Sequence, residues 1–138
     1  MNIGTIADKS GVSAKSIRYY ESIGLIAPAT RSASGYRTYA SADLQVLLFI
    51  RRARQVGFSI EDIGELLALW RRPERASADV RSIADRHRRA VEAKIAELSG
   101  LRDTLDAMIA RCAGDHGPAC AILDSLGAAA PINNPING

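Results

Sequence analysis

Two cysteines near the carboxyl end of the chain are its most reactive side chains. Cys112 and Cys120 lie eight positions apart and are the two cysteines of the sequence. Gly114, Gly117 and Pro118 lie between them and predict a turned loop that can bring the thiols together. Three interpretations are open: inert thiols, a redox pair, or ligands of a metal ion. Redox pairs usually have the closer C-x-x-C spacing, and inert thiols usually lie on an apolar helix face, so the loop favours a metal ion.

The donor atoms of this loop narrow the choice of metal. Structural zinc takes about four ligands, whereas the loop offers two sulfurs and at most His116 or Asp115. Thiolates favour soft monovalent ions such as Cu(I), which accept a two-coordinate, nearly linear geometry. Two thiolates with such an ion keep one excess negative charge, which a helix N-terminus can stabilise through its free N–H groups and its dipole.

Basic side chains are concentrated at the other end of the chain. Residues 1–54 contain eight Lys or Arg and three acidic residues, a net charge of +5, whereas the remaining residues carry a net charge of −2. This asymmetry favours a polyanionic partner for the N-terminal part.

The basic segment begins with the signals of a helix-turn-helix. Asn2 can cap a short helix that Gly11 ends, and Ser13 can cap a second helix that stops near Gly24. In this motif the second helix lies in the major groove of DNA. The exposed side chains expected on it are Ala14, Lys15, Arg18 and Tyr19 or Tyr20.

A hairpin, or wing, is predicted next. Ser34-Gly35 is a turn signal, and it places Arg31 on one strand and Arg37 on the other. Guanidinium and phenol groups on such a ribbon can bond phosphates, which we expect of both arginines. For Tyr36 and Tyr39 the sequence favours equally a contact with DNA and packing on the helices.

Two further helices supply the core that holds these elements. Ser41 is the expected cap of the third helix, which ends near Gly57, and Ser59 with Asp62 resembles a capping box for the fourth. The apolar positions expected to face the core are Leu44, Leu47, Leu48, Phe49 or Ile50, Ile60, Ile63, Leu66, Leu67 and Trp70.

A much longer helix follows, from Ser77 to about Ala110. Seven of nine positions that step by four and three, as in a coiled coil, are apolar, and the two exceptions are His87 and Lys94. The nine positions are Val80, Ala84, His87, Val91, Lys94, Leu98, Leu101, Leu105 and Met108. Because no other segment is long enough to cover this seam, a second copy of the chain is the expected partner. If the two copies pair antiparallel, Ser77 of one copy faces the cysteine loop of the other, where its hydroxyl adds no charge.

Several classes of protein are excluded. No stretch approaches the ~18 consecutive apolar residues of a membrane span, and the N-terminus lacks a secretory signal, so we expect a cytoplasmic protein. A thiol enzyme needs a base beside its nucleophile, and no such set is evident around His116, so we expect no enzyme.

Many of these residues form a pattern that resembles the MerR family of transcriptional regulators. The matching residues are Ile3-Gly4, Ala7, Gly11-Val12, Ile17-Arg18-Tyr19-Tyr20-Glu21, Gly24-Leu25-Ile26, Arg31, Gly35-Tyr36-Arg37, Tyr39, Arg52-Ala53-Arg54, Gly57-Phe58-Ser59 and Ile63. Ser77-Ala78-Asp79-Val80, together with Cys112 and Cys120, is similar to the copper-efflux (CueR-type) branch, which senses Cu(I), Ag(I) and Au(I).

The resemblance implies a mainly α fold in four parts. These are a winged helix-turn-helix DNA-binding domain (1–72), an antiparallel coiled-coil dimerisation helix (73–110), a metal-binding loop with a short helix (111–126) and a disordered tail (127–138). A homodimer would bind promoter DNA and hold one Cu(I), or Ag(I) or Au(I), per protomer. Metal binding would distort the DNA so that RNA polymerase can use the promoter. The alternative is a MerR-like redox sensor that switches through a Cys112–Cys120 disulfide.

The resemblance also assigns roles to individual residues. Cys112 and Cys120 would ligate the metal, and Ser77 would support the site from the other protomer. The residues expected to contact DNA are Lys15, Arg18 and Tyr20 on the second helix, and Arg31, Tyr36 and Arg37 in the wing.

Overall fold

The computed structural model describes residues 1–127, and within them it contains six helices and one two-stranded ribbon. In chain order the elements are α1 (Ile3–Ser10), α2 (Ala14–Ser22), β1 (Thr30–Arg31), β2 (Arg37–Thr38), α3 (Ser41–Gln55), α4 (Ile60–Trp70), α5 (Ser77–Arg111) and α6 (Ala121–Gly127). The mainly helical class is therefore confirmed. The tail predicted for 127–138 begins on the last residue of α6, and its other residues lie outside the described part.

The helix-turn-helix forms at the predicted caps. The side chain of Asn2 accepts the N–H of Thr5 at 2.8 Å. Gly11 ends α1 with φ +73°, a left-handed conformation that favours glycine. The hydroxyl of Ser13 then accepts the N–H of Ser16 at 3.1 Å and starts α2. The turn between the two helices is thus determined by local chemistry.

The cap of α3 differs from the prediction by one residue. Ala40 occupies the cap position and Ser41 is the first helical residue. Ala40 has no side-chain oxygen that could accept an N–H of the first turn. The helix start is stabilised instead by Asp43, a residue of the first turn, whose carboxylate accepts the backbone N–H of Ala40 at 2.8 Å. The predicted start of α4 is confirmed, since the hydroxyl of Ser59 accepts the N–H of Asp62 at 3.1 Å.

The first of two compact units spans Met1–His87 and has one main core. Its fully buried apolar side chains come from the first four helices: Ile6, Ile17, Leu47, Ile50, Ile63 and Leu67. Trp70, which was expected in this core, is instead 43% exposed and stacks on Phe49 with ring centroids 4.6 Å apart. Trp70 is the last residue of α4, and its ring lies at the surface of the unit against Phe49.

The first turns of α5 belong to this unit. Ile83 is only 6% exposed and packs with Leu66 and Leu69 of α4, and Val80 lies against the same cluster. Val80 and His87 of the predicted seam thus contact their own chain, Val80 at the α4 cluster and His87 at the turn between α3 and α4, and their pairing with a partner helix stays a prediction. A heptad pattern indicates that a helix face is covered, but α4 of the same chain covers this part of it.

The second unit begins at Arg88 and contains the rest of α5, the cysteine loop and α6. Its long helix keeps an apolar stripe exposed, and the side chains at least 43% exposed are Val91, Ile95, Leu98, Leu101, Leu105 and Ile109. Lys94 was expected in the seam, but its ammonium group lies 3.6 Å from the carboxylate of Glu97. Ile95 and Ile109, which were not among the predicted seam positions, belong to the exposed stripe. Across residues 1–127, no helix combines the length and apolarity needed to cross a bilayer.

Candidate functional site

The outer face of α2 carries three of the residues expected on a DNA-reading helix. Lys15, Arg18 and Tyr19 are exposed, whereas Ile17 is fully buried and orients the helix. Tyr20, which was selected for a DNA contact, is half-buried and packs on the core. The ring of Tyr19, 53% exposed, is the more accessible of the two.

The hairpin forms as predicted and lies beside α2. Arg31 and Arg37 are directly paired across its two strands. Together with Arg18 they line an open concavity of ≈ 500 Å³, which also includes Asn2, Ile3, Gly35 and Tyr36. Three guanidinium groups and one phenol therefore converge from α2 and the ribbon. Such a surface suits the phosphate backbone of a nucleic acid.

Glu21 fixes the hairpin against α2, a role that the sequence did not indicate. Its carboxylate accepts a hydrogen bond from the hydroxyl of Tyr39 and lies 3.8 Å from the guanidinium of Arg37. Burial of the phenol, followed by its hydrogen bond to Glu21, raises the pKa of Tyr39 to about 12. Arg37 is thereby oriented by a half-buried acid on the recognition helix.

The two tyrosines of the hairpin have different environments. Tyr39 is 4% exposed and belongs to the core, whereas Tyr36 is 74% exposed. Residues three apart on an extended ribbon point to opposite faces, a signal that could have separated them beforehand. The turn is held by Arg31, whose guanidinium donates to the carbonyl of Gly35 at 2.9 Å.

Two arginines of α3 with no predicted DNA contact also reach the start of α2. Arg51 and Arg54 line an open concavity of ≈ 420 Å³ with Gly11, Ser13 and Ser16. A side chain at Gly11 would lie 2.8 Å from the guanidinium carbon of Arg51, so this arginine lies directly over the helix-turn-helix turn. The cluster of arginines at the end of α3 is the sequence signal for this second basic area.

In the second unit, the loop brings the two cysteines together as predicted. The sulfurs of Cys112 and Cys120 are 3.7 Å apart, and both residues are half-buried. Cys112 follows the last residue of α5, and Cys120 precedes α6. Gly114, with φ +67°, lets the chain reverse between them.

The start of α6 acts directly on one of these sulfurs. The N–H of Leu123 donates to the sulfur of Cys120 at 3.5 Å. This hydrogen bond is the main reason why the pKa of the Cys120 thiol is lowered from its ordinary value. The thiolate, which is the nucleophilic and metal-binding form of cysteine, is therefore favoured at this position.

The donor set of the loop fits a two-ligand ion better than zinc. Within residues 1–127 there is no group of three or more His, Cys, Asp or Glu side chains that could hold a metal. Asp115 accepts the N–H of Gly117 at 2.8 Å and so shapes the loop. His116 is exposed. Two thiolates without a third ligand suit a soft monovalent ion.

The sulfur separation is compatible with both chemistries considered for the pair. A linear two-coordinate ion between the sulfurs would hold them farther apart than 3.7 Å, whereas a disulfide bond is about 2.05 Å long. The observed 3.7 Å lies between these two separations.

Ser77 is the first residue of α5 and is exposed. Its expected role concerns the cysteine loop of a second copy, so it stays a prediction.

A basic recognition helix beside a basic hairpin defines a winged helix-turn-helix protein, a DNA-binding class. A family model described as MerR HTH family regulatory protein matches residues 1–69. Another, described as MerR, DNA binding, matches residues 44–108. The chain belongs to the MerR family of helix-turn-helix regulatory proteins.

Relatives match the chain over almost its full length. It is 49% identical to heavy metal-dependent transcription regulator 2 of Rhizobium meliloti, over 99% of this chain and 94% of that protein. It is 45% identical to the HTH-type transcriptional regulator CueR of Salmonella typhi, over 91% of each. These relatives are transcriptional regulators, so this chain is a regulator and not an enzyme, as predicted.

A solved structure agrees with this assignment. The fold superposes on that of a transcription regulator from Ralstonia metallidurans in complex with lead(II) with a TM-score of 0.81. The sequence identity is 36%, and the match covers 91% of this chain and 98% of that one.

Proposed function

We propose that this protein is a metal-responsive transcriptional regulator that binds promoter DNA as a homodimer and activates transcription when Cu(I), or Ag(I) or Au(I), binds Cys112 and Cys120. The observation that carries the proposal is the 3.7 Å approach of two half-buried sulfurs in a chain of the MerR family. One ion per protomer would balance part of the charge of two thiolates. The heavy-metal and lead(II) relatives support a metal effector of this class.

DNA binding in this proposal uses α2 in the major groove and the hairpin on the adjacent backbone. Lys15, Arg18 and Tyr20 on α2 are the proposed contacts from the recognition helix. Arg31, Tyr36 and Arg37 are the proposed contacts from the hairpin. The concavity shared by Arg18, Arg31 and Arg37 supports this assignment, because converging arginines match closely spaced phosphates.

The dimer in this proposal forms through the exposed stripe of α5. Six apolar side chains that are at least 43% exposed require a cover, and a second α5 has the matching length and pattern. In an antiparallel pair, Ser77 at the start of one α5 would lie beside the cysteine loop of the other copy. There the helix dipole would offset the excess negative charge of two thiolates and a monovalent ion.

Activation would follow from deformation of the promoter rather than from new base contacts. Metal binding to the loops would shift the dimer, and the bound DNA would bend and untwist so that RNA polymerase can engage both promoter elements. This step requires that the loop and the DNA-binding unit be mechanically linked through α5.

The metal half of the proposal is tested by anaerobic titration of Cu(I) against a competing chelator. The native protein should bind one ion per protomer, with X-ray absorption showing two sulfur neighbours and no nitrogen. Cys112→Ser and Cys120→Ser should each abolish this binding and the promoter response. His116→Gln is the matched control in the same loop and should change neither. A metal response that survives in both serine variants would overturn the assignment.

The DNA half is tested by the salt dependence of operator binding. Arg18→Ala should weaken binding and lower the slope of log K against log salt by about 0.9 for each phosphate that the variant no longer neutralises. Arg81→Ala, an exposed arginine on α5 away from the proposed surface, is the control and should leave the slope unchanged. An equal slope for Arg18→Ala and native protein would remove Arg18 from the DNA.

The second candidate function, a redox sensor, is favoured by the same sulfur contact. The thiols are close enough for a disulfide to form after a small movement of the loop. The two functions separate cleanly, because a metal sensor responds to Cu(I) without oxygen, whereas a redox sensor responds to peroxide without metal.

A further inference from the structure

His87 is the last residue of the first unit, at the point where α5 continues into the second. Its ring contacts the turn between α3 and α4. The Nε2 atom lies 2.7 Å from the carbonyl oxygen of Val56, and the ring centroid is 4.7 Å from that of Phe58. One side chain of α5 therefore holds both sides of this turn.

The contact with Val56 satisfies a group that helix geometry leaves without a partner. Val56 is the C-terminal cap of α3, so its carbonyl oxygen has no helical N–H to accept. Because a carbonyl oxygen only accepts hydrogen bonds, Nε2 of His87 carries the hydrogen and donates it. The bond also lies at the negative end of the α3 dipole, where a donor is favoured.

The turn is shaped to fit this imidazole. Gly57 has φ +88°, and a side chain there would lie 3.2 Å from Nε2 of His87. The N–H groups of Gly57 and Phe58 bond back to carbonyls of α3, at 2.9 and 3.2 Å. The turn is thus a rigid extension of α3, and the ring of His87 fits closely against it.

The neighbouring residue Arg86 contacts α4 through ion pairs. It donates to Asp62 and, at 3.4 Å, to Glu65, but its side chain is 54% exposed. Exposed ion pairs contribute little and tolerate rearrangement. His87 differs from Arg86 in its partner, because it bonds to a backbone carbonyl of the turn itself, whereas Arg86 bonds to side chains of α4.

We propose that His87 is a positioning residue: it couples α5 to the α3–α4 turn and so sets how much of a movement of α5 reaches the DNA-binding surface. This inference rests on the proposed function, which requires such a movement. The path continues through α3, whose Leu47 and Ile50 share a core with Ile17 of α2. The same helix carries Arg51 and Arg54 to the start of α2.

The test compares variants that keep or remove the donor. His87→Leu keeps apolar contact with Phe58 but cannot donate to Val56. His87→Asn is polar but too short to reach it. His87→Gln can place an amide N–H near the carbonyl. Arg81→Gln is the control, an exposed residue on the same part of α5.

The measured quantities are operator affinity without metal, Cu(I) stoichiometry, and the ratio of metal-induced to basal transcription in vitro. His87→Leu and His87→Asn should each lower that ratio by about three- to tenfold. Their operator affinity and Cu(I) stoichiometry should stay within about twofold of those of native protein. Glutamine should restore most of the ratio. A purely structural role would lower affinity and transcription together, and that result, or a ratio equal to that of Arg81→Gln, would overturn the proposal.

A second measurement needs no metal. Amide hydrogen exchange across residues 54–60 should be about tenfold faster in His87→Leu and His87→Asn than in native protein, and near native in His87→Gln. Native exchange rates in the leucine and asparagine variants would refute the coupling even if the protein proved not to respond to metal. A native protein without metal response but with the expected exchange pattern would reject only the proposed function.

Discussion

The two units of the chain differ in what their apolar side chains contact. In Met1–His87 the large side chains of five helices pack on one another, and Ile6, Ile17, Leu47, Ile50 and Ile63 are fully buried. From Arg88 onward, α5 leaves Leu98, Leu101 and Leu105 at least 55% exposed. The first unit is complete within one chain, whereas the second leaves its long helix uncovered.

The same helix takes part in both situations, which shows what a heptad pattern does and does not determine. The face of α5 near Ile83 is covered by α4, and the face near Leu98 is not covered within residues 1–127. An apolar stripe of this kind predicts that another element covers this face of the helix. Whether the neighbour is in the same chain or in a second copy depends on what lies within reach.

The largest expected effect comes from placing charge on the exposed stripe. Leu98→Asp combined with Leu105→Asp should convert the protein into a monomer, because paired carboxylates in an apolar seam are strongly unfavourable. A monomer engages one operator half-site, so operator affinity should fall by about 100-fold or more. Sedimentation velocity measures the oligomeric state, and fluorescence anisotropy measures the affinity.

Glu97→Gln is the matched control for this double substitution. Its side chain is 61% exposed on the polar side of the same helix. It should leave both the dimer and the operator affinity unchanged. A dimeric double variant would show that the exposed stripe is not the dimer interface.

The next largest effect separates the two halves of α5. Ile83→Ala should lower the free energy of unfolding by about 2–5 kcal/mol, because the side chain is buried between Leu66 and Leu69. Ile95→Ala, on the exposed half, should instead weaken the dimer and leave the packing of the first unit intact. Urea denaturation and the dimer dissociation constant distinguish them. Equal effects of the two substitutions on the dimer would remove the contrast between the halves.

The cysteine site was predictable from the sequence because its parts are close along the chain. Cys112 and Cys120 flank a loop with Gly114, and such a loop can turn back in few ways. The helix starts at Ile3, Ala14 and Ile60 were predictable for the same reason, since each follows a capping side chain.

Features that depend on distant residues were not predictable in this way. The bond from His87 to Val56 joins residues 31 apart, and that from Tyr39 to Glu21 joins residues 18 apart. No local pattern indicates either of them. The packing of whole helices determines which surface covers an apolar stripe. It also determines which carboxylate accepts the hydrogen bond of a buried phenol.

A smaller effect is expected from the buried phenol of the first unit. The pKa of Tyr39 is raised to about 12, mainly by burial. A raised pKa contributes stability that is complete below the unfolded value, near 10, and is lost as the pH rises through the folded value. Tyr39→Phe also leaves the carboxylate of Glu21 without its phenol donor, so the variant should be less stable than native protein by about 1–2 kcal/mol at pH 8.

The difference between the two proteins should shrink between pH 10 and 12, as native protein loses this contribution. Tyr36→Phe, a change at a 74% exposed ring, is the control and should follow native protein throughout. Urea denaturation at each pH gives the comparison. A constant gap for Tyr39→Phe would show that the phenol does not titrate with the fold.

The smallest effect concerns the ion pair that joins α4 to α5. The pKa of Asp62 is lowered, mainly by the hydrogen bond that its carboxylate accepts from Arg86. A lowered carboxyl pKa contributes stability above the unfolded value of about 4, and this stability is lost as the pH falls through the folded value. Arg86→Gln should thus be slightly less stable than native protein at pH 7, and this difference should shrink as the pH falls below about 4. Arg72→Gln, which changes an exposed pair with Glu74, should show no such convergence. If Arg86→Gln instead lost as much stability as Ile83→Ala, the contact between α4 and α5 would depend on charge rather than on apolar packing.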